Sequence, residues 1–391
     1  MRHASYAAHF LASRYLMRAN WVDCSFFSGI VCKRNSNVNS KCADVTCAEE
    51  LQYKFDTSND RSQAFRMGIP SQVARLILRE HLFRPITGKL LSIGRQTVHL
   101  TPRQAKALVE AELGIQLDVD ALNLEVDTST RSGRARGLIS DRAFFSLFSD
   151  ATYHCLDQSD YENADIVFDL CSPDIPPELE GRFDFVVEGS TLDNVFDPAA
   201  ALRNLARFTR AGGRLFHHNR ASRRHNVYVA FALSWFHDYY SVNEFEDCQV
   251  YLAQWDADQI TSRWDVYHYC PLQEHNGEFR FFGQDTWYYP WRHAHAIVIA
   301  EKGSQSTSNK NPIQFEYRPD IVNTLVDEKF ETLPQNLQEM DKNPYLRAAM
   351  RFSRSRRPPI VKPHEKGQLA PEFVNYAPEI VYCGSIEAVL D

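Results

Sequence analysis

Several polar or conformationally free residues stand where a short apolar run ends, which is where a buried strand can present a functional group to a ligand. Gly94 follows Gly88-Lys89-Leu90-Leu91-Ser92-Ile93, Asp157 closes Thr152-Tyr153-His154-Cys155-Leu156, and Asp169 lies near the end of Ala164 to Leu170. Glu188 and Gly189 follow Phe183 to Val187, Asp193 lies in the loop beyond, and His217-His218-Asn219 ends the next apolar run. A glycine between a strand and a helix lets backbone N–H groups and the helix dipole meet a bound ligand. A carboxylate at a strand end can accept both hydroxyls of a ribose, because two adjacent donors suit a two-oxygen acceptor; Asp157 reads equally as a helix cap or loop residue. His217, His218 and Asp193 are the groups best placed to take a proton. A histidine at a strand end is also often polar surface or hydrogen-bonded core, and only one of two adjacent histidines can face a given side of a strand.

The elements that must hold these groups read in alternation. Pro70 to Leu82 carries Val73, Leu76, Ile77 and Leu82 at helical spacing, and Thr101-Pro102 starts a second helix that Gly114 closes. Ser140-Asp141 caps a third, running to Phe148. Phe183 to Asn219 is a complete β-α-β unit: Asp197-Pro198 opens a helix with Ala201, Leu202, Leu205 and Phe208 on one side, and Gly212-Gly213 is expected to end it. Apolar strands without alternation fit a parallel sheet covered on both faces, so the class is α/β. Val227 to Tyr240 reads as an aromatic-rich helix, and Gln249 to Trp255 and His295 to Glu301 as further strands. Between those strands, Trp264 to Arg292 is rich in aromatics, among them Trp264, Tyr267, Tyr269, Phe281, Phe282, Trp287, Tyr288, Tyr289 and Trp291. They suit a satellite core better than a stacking surface for an acceptor.

The wording FDFVV, LDNVFDP and RAGGRLF within Phe183 to Phe216 resembles the fourth strand, following helix and fifth strand of the class I (Rossmann-like) S-adenosylmethionine-dependent methyltransferases. The resemblance implies a doubly wound, mostly parallel seven-stranded sheet with an antiparallel last strand, plus N- and C-terminal extensions. It also implies S-adenosyl-L-methionine as cofactor, cradled by Gly94, Arg95, Gln96, Asp157, Gln158, Asp169, Leu170, Glu188 and Gly189, with Asp169 toward the adenine amino group. His217, His218 and Asp193 become candidate bases for a hydroxyl acceptor. One departure is plain: the family's acidic-x-Gly-x-Gly turn is reduced here to Ser92-Ile93-Gly94 followed by Arg95-Gln96. That departure keeps a methyltransferase-like scaffold without turnover as an alternative. A nicotinamide oxidoreductase is a further one, set back because no GxGxxG follows Leu91.

The totals bound the rest. A chain of 391 residues, 44% apolar and 24% charged, suits one large α/β domain with extensions. We read residues 1–66 as a poorly ordered extension, faintly like an organelle presequence or preceding a true start at Met67. Residues 67–302 form the methyltransferase-like domain, with insertions near 115–140, where a lid could lie, and near 257–292. Residues 303–391 are a linker and tail whose arginine run, Arg347 to Arg357, reads as a solvated arm. A net charge of -7 argues against a general nucleic-acid binder, and no apolar run approaches the roughly 20 residues of a membrane span. Nine scattered cysteines suit reduced thiols and a cytoplasmic protein; Cys24, Cys32, Cys42 and Cys47 lack zinc-hairpin spacing, so no metal is predicted. The partner is a methyl acceptor, with a small molecule or sugar favoured and a peptide still open.

Overall fold

The structure, a computed structural model, describes residues 68–118, 124, 126–160, 162–222, 227–275, 278–281, 292–314, 317, 342–358, 360–361 and 380–389. The expectations for residues 1–66, for Met67, for the four early cysteines, and for Phe282, Trp287, Tyr288, Tyr289 and Trp291 lie outside the described residues.

Local rules set most boundaries. Helix α1 (Ser71–Phe83) leads into strand β1 (Lys89–Ile93), and helix α2 (Pro102–Leu113) starts on a capping box in which Thr101 and Gln104 serve each other's free amides. Helices α3 (Arg131–Arg136) and α4 (Asp141–Ser146) follow, each opened by a side-chain cap from Thr130 or Ser140. Strands β2 (Thr152–Asp157), β3 (Ile166–Val167) and β4 (Phe183–Glu188) come next, and then helix α5 (Pro198–Phe208), whose cap Asp197 accepts from the Ala200 amide. Such a cap is worth about 1 kcal/mol.

Boundaries differ from expectation in three places: the helix expected from Val227 begins at Leu233, the strand expected over Ala164 to Leu170 is only Ile166–Val167, and the helix expected to run to Gly212-Gly213 ends early. Helix α5 stops at Phe208, before the two glycines, and Thr209 already begins the long strand β5 (Thr209–Arg220). Thr209 returns its hydroxyl to the Leu205 carbonyl, ending the helix without a left-handed residue. Gly212, at φ +77°, instead belongs to an irregularity in which β4 pairs Phe183 with Thr209 but Phe185 with Arg214.

Helix α6 (Leu233–Val242), strands β6 (Asp247–Trp255) and β7 (Trp264–Tyr269), the hairpin β8 (Leu272–His275) and β9 (Glu278–Phe281), strand β10 (His293–Glu301), helix α7 (Pro344–Ser353) and strand β11 (Ile380–Ile386) complete the chain. The main sheet runs β11-β7-β6-β10-β5-β4-β1-β2-β3. Strands β1 to β5 pair in parallel, while β10 enters antiparallel between β5 and β6. The seven strands expected from sequence are therefore present, and β7 and β11 extend the sheet beyond β6 by antiparallel pairing.

Pleating divides the strand residues between two cores. Leu91, Ile93, Val186 and Leu215 pack with Leu202 and Leu205 of α5, Phe236 of α6 and Phe352 of α7. Leu90, Phe185, Val187 and Phe216 pack with Leu76 and Ile77 of α1, Leu108 of α2 and Phe144 of α4. Trp264 is buried in the second core, and Tyr267 and Tyr269 in the first. These three aromatics of the insertion are thus core rather than surface.

The arginine run is not a solvated arm throughout. Arg357 is engaged by Glu80 and, through Nε, by Asp247 Oδ2 at 2.7 Å, while Glu80 also holds Arg214 of β5. Two buried guanidiniums, Arg214 and Arg357, against two carboxylates, Glu80 and Asp247, explain the difference: the charge is neutralised inside the fold. Among the described residues, no helix is long and apolar enough to cross a membrane.

Candidate functional site

At the carboxyl rim of the sheet three parallel elements converge. Gly94 leaves β1 with φ +70°, a left-handed conformation that L side chains rarely adopt. Its amide donates to Leu156 O at 2.7 Å, tying the turn to β2. A Cβ built on Gly94 would lie 3.6 Å from Asp157 Oδ2, 3.7 Å from Gln96 Nε2 and 4.0 Å from Thr191 Oγ1. These groups surround a bare backbone. Asp157 Oδ1 accepts from the amide of exposed Gln158 at 2.6 Å, and no hydrogen bond to Oδ2 is recorded among the described residues. The Asp157 carbonyl accepts from Phe168 at 2.8 Å, so Asp169 follows at the same rim, exposed, with Oδ1 accepting from the Cys171 amide. Buried Asn204 of α5 holds the Leu170 and Ser172 carbonyls at 2.9 and 2.7 Å and so shapes that loop.

Arg95 and Gln96 are directed elsewhere. Arg95 Nη2 pairs with buried Asp141 Oδ1 at 2.7 Å, and Asp141 Oδ2 accepts from the Gln96 amide at 2.8 Å and the Tyr153 hydroxyl at 2.5 Å. Burial opposes the Arg95 charge, but Asp141 outweighs it and holds the guanidinium pKa above its usual value. Gln96 Nε2 donates to Ile93 O at 2.8 Å, and Ser92 Oγ to Gly94 O at 2.9 Å. These bonds anchor the turn from below.

The adjacent histidines fall on opposite faces of β5. His217 is fully buried with Glu188, whose Oε2 lies 3.1 Å from His217 Nδ1, and with the Tyr240 hydroxyl, 2.5 Å from Nε2. Glu188 Oε1 in turn accepts from the Thr191 and Leu192 amides at 2.5 and 2.9 Å and from Asn219 Nδ2 at 3.1 Å. Both Glu188 oxygens are therefore engaged in holding the loop that starts at Gly189. His218 faces the other way, hydrogen-bonded through Nε2 to His295 and stacked on Trp264. Burial, and secondly Arg220, push its pKa down to about 3, so the ring is neutral. Its Nδ1 has no partner among the described residues, and a Cβ on Gly189 would lie 3.5 Å from that atom. Asp193 is buried beneath the same loop, taking a 2.5 Å hydrogen bond from Ser190 Oγ and lying 3.5 Å from Arg220 Nε. Burial pushes its pKa up to about 6; the Ser190 bond opposes this, Glu188 adds to it, and Arg220 opposes it.

Asp141, Thr191, Ser190, Arg220, Tyr240 and His295 were not among the residues singled out from sequence. Tyr240 belonged to an aromatic run that reads as core, and Asp141 to a helix cap; neither pattern signals a partner 23 or 46 residues away.

No protein-family model matches the chain, and no curated protein does. Solved structures do. One is phosphoethanolamine N-methyltransferase 2 of Haemonchus contortus, in complex with phosphomonomethylethanolamine and S-adenosylhomocysteine, 12% identical over 59% of this chain and 52% of that one, with a TM-score of 0.31. Another is a SAM-dependent methyltransferase of Thermotoga maritima, 14% identical over 64% and 97%, with a TM-score of 0.29. A third, TehB from Haemophilus influenzae, is 14% identical over 51% and 67%, with a TM-score of 0.28. The chain spans only about half to three fifths of the first structures it matches. Strand order is the deciding observation: five parallel strands in the order β3-β2-β1-β4-β5, then β10 antiparallel, then β6. The fold is that of the class I S-adenosylmethionine-dependent methyltransferases.

The methyltransferase fold brings Gly94, Asp157 and Asp169 to one rim and separates His217 from His218. Among the described residues Asp157 Oδ2 has no hydrogen-bond partner, and it lies 3.6 Å from the Cβ position of Gly94. The same fold leaves Ser92 where the family carries a carboxylate, and its hydroxyl is turned back onto the Gly94 carbonyl.

Proposed function

We propose that the protein binds S-adenosylmethionine at the Gly94–Asp157–Asp169 rim and transfers its methyl group to a small molecule or sugar. The observation that carries the reading is the convergence of Asp157 Oδ2, Gln96 Nε2 and Thr191 Oγ1 within 4.0 Å of the Cβ position that Gly94 leaves bare. When bound, the cofactor supplies a sulfonium methyl with a good leaving group, so the chain's task is alignment and exclusion of water. In this reading Asp157 accepts from the ribose, and the 169–170 turn, shaped by Asn204, faces the adenine. Gly189 and Thr191 form the wall nearest the reacting end, held there by Glu188.

Asp193 remains as the group able to take a proton from a hydroxyl acceptor. With a pKa near 6, Asp193 is ionised at neutral pH yet basic enough to draw a proton through Ser190. His218, whose pKa burial pushes down to about 3, is too weak a base for that step. His217 is a positioning residue, since both its nitrogens are engaged by Glu188 and Tyr240. The five described cysteines are all free thiols, in keeping with a reducing compartment such as the cytoplasm.

Titration calorimetry with S-adenosylhomocysteine, followed by transfer of labelled methyl from S-adenosylmethionine to fractionated small-molecule extract, tests the proposal. Binding with labelled product is expected. Binding without product from any fraction would select the scaffold reading, which the absent carboxylate at Ser92 favours. No binding would remove both, and NADH titration would then test the oxidoreductase alternative.

A further inference from the structure

The arginine run at the opposite rim borders a cavity that the proposed function does not use. Helix α7 and the residues after it border a cavity of about 540 Å³ lined by Phe83, Met350 and five arginines, Arg347, Arg351, Arg354, Arg356 and Arg357, against two carboxylates, Glu246 and Asp247. Strand β6 starts there at Asp247 and β10 ends nearby at Glu301, so the cavity lies at the amino end of the parallel strands. The four residue steps from Arg214 to His218 alone separate the rims by about 13 Å.

Charge neutralisation inside the fold accounts for only part of this arginine set. Arg347 pairs with Glu244, and Arg357 with Glu80 and Asp247. Arg351 reaches no carboxylate among the described residues: Nη2 donates to the Phe245 carbonyl at 2.7 Å, and its buried Nε has no partner. Arg356 is exposed, with no hydrogen bond or ion pair among the described residues. Of the two acids on the wall, Asp247 is already committed to Arg357 and Ser355. A buried guanidinium N–H without an acceptor costs free energy that an incoming anion would recover. Guanidinium forks match phosphate oxygens in pairs, and several around one concavity favour more than one phosphate. Phe83, with the Arg357 guanidinium 4.7 Å over its ring, and Met350 add an apolar wall for the body of such a molecule.

We propose that this cavity binds a small molecule bearing a di- or triphosphate, with Arg351 and Arg356 as its principal phosphate contacts. The site is separate from the rim assigned to the cofactor and does not depend on that assignment.

Inorganic triphosphate titrated into the full chain by calorimetry is the test, with wild type compared with Arg351→Met and with Arg354→Glu/Arg356→Glu. Losing one or two charge-assisted contacts should weaken triphosphate binding at least tenfold, while affinity for S-adenosylhomocysteine stays as in wild type and each variant still unfolds cooperatively. Arg356→Gln, at an exposed residue without partners among those described, keeps the test valid should the double variant unfold; a severalfold loss is expected there. No triphosphate heat in wild type, binding that none of the variants alters, or binding of a single-stranded RNA oligonucleotide in place of triphosphate would each overturn the proposal.

Discussion

Asp157→Ala separates a ligand contact from a fold contact more cleanly than any other substitution at the rim. The carboxylate's recorded internal hydrogen bond is the one Oδ1 accepts from the neighbouring Gln158 amide, and the residue is only half-buried. Removing it should change ligand-free stability by no more than about 1 kcal/mol, the scale of a turn or surface substitution. Oδ2, by contrast, faces the space beside Gly94. A hydrogen bond to a charged acceptor contributes about 1.5–3 kcal/mol, and each 1.4 kcal/mol is about tenfold in affinity. The expected result is S-adenosylhomocysteine binding weakened roughly 10- to 100-fold by calorimetry, with the thermal midpoint of the ligand-free protein nearly unmoved. A dissociation constant within about twofold of wild type, worth some 0.4 kcal/mol, would refute the reasoning, because no ribose would then be resting on that oxygen. A collapse of the ligand-free midpoint would refute it differently, by showing that Asp157 holds the strand end.

Gly94→Ala should cost about 1–2 kcal/mol of stability for a left-handed alanine. Its methyl meets no protein atom closer than 3.6 Å but occupies the space facing Asp157; affinity for S-adenosylhomocysteine should therefore fall further than stability does, as calorimetry and urea melts together would show. Asp141→Ala leaves Arg95, Tyr153 and the Gln96 amide without their shared acceptor, and breaking a buried ion pair this way should lower the unfolding free energy by about 3–5 kcal/mol in urea. Asp193 gives a pH signature. Its folded pKa, about 6, exceeds the unfolded value of 3.8, so the native state holds the proton more tightly between them. Its contribution is fully present below the unfolded pKa and is lost as pH rises through about 6, a fall of roughly 3 kcal/mol. The stability of wild type relative to Asp193→Asn should decline by that order between pH 4 and pH 7, and parallel urea midpoints across the range would contradict it.

How much of this could be read from the chain alone follows from the range of each determinant. Thr101 with Gln104, Ser140, and Asp197-Pro198 act within one helical turn, and the helices begin where those residues say. Apolar runs that end in Gly94, Asp157 and Glu188 are local as well, and β1, β2 and β4 end at or beside those residues. Strand alternation alone required that His217 and His218 part company. Which face each would take, and what it would meet there, was not local. The Glu188–His217–Tyr240 chain joins three elements, and Arg95 turns away from the rim because Asp141 lies below it. Arg357 reaches Glu80 across 277 residues, which converts an apparently solvated charge run into a buried clamp and leaves a cavity beside it. Gly212-Gly213, a plausible helix stop by composition, became a strand irregularity because Thr209 closed the helix first. The sequence by itself determined the alternation of strand and helix and the polar residue at each strand end, since those depend on propensity, capping and a two- or three-residue period. Only the tertiary structure decided which of those polar groups keep an oxygen or nitrogen for a ligand and which satisfy one another, because that is set by partners brought together across the sheet.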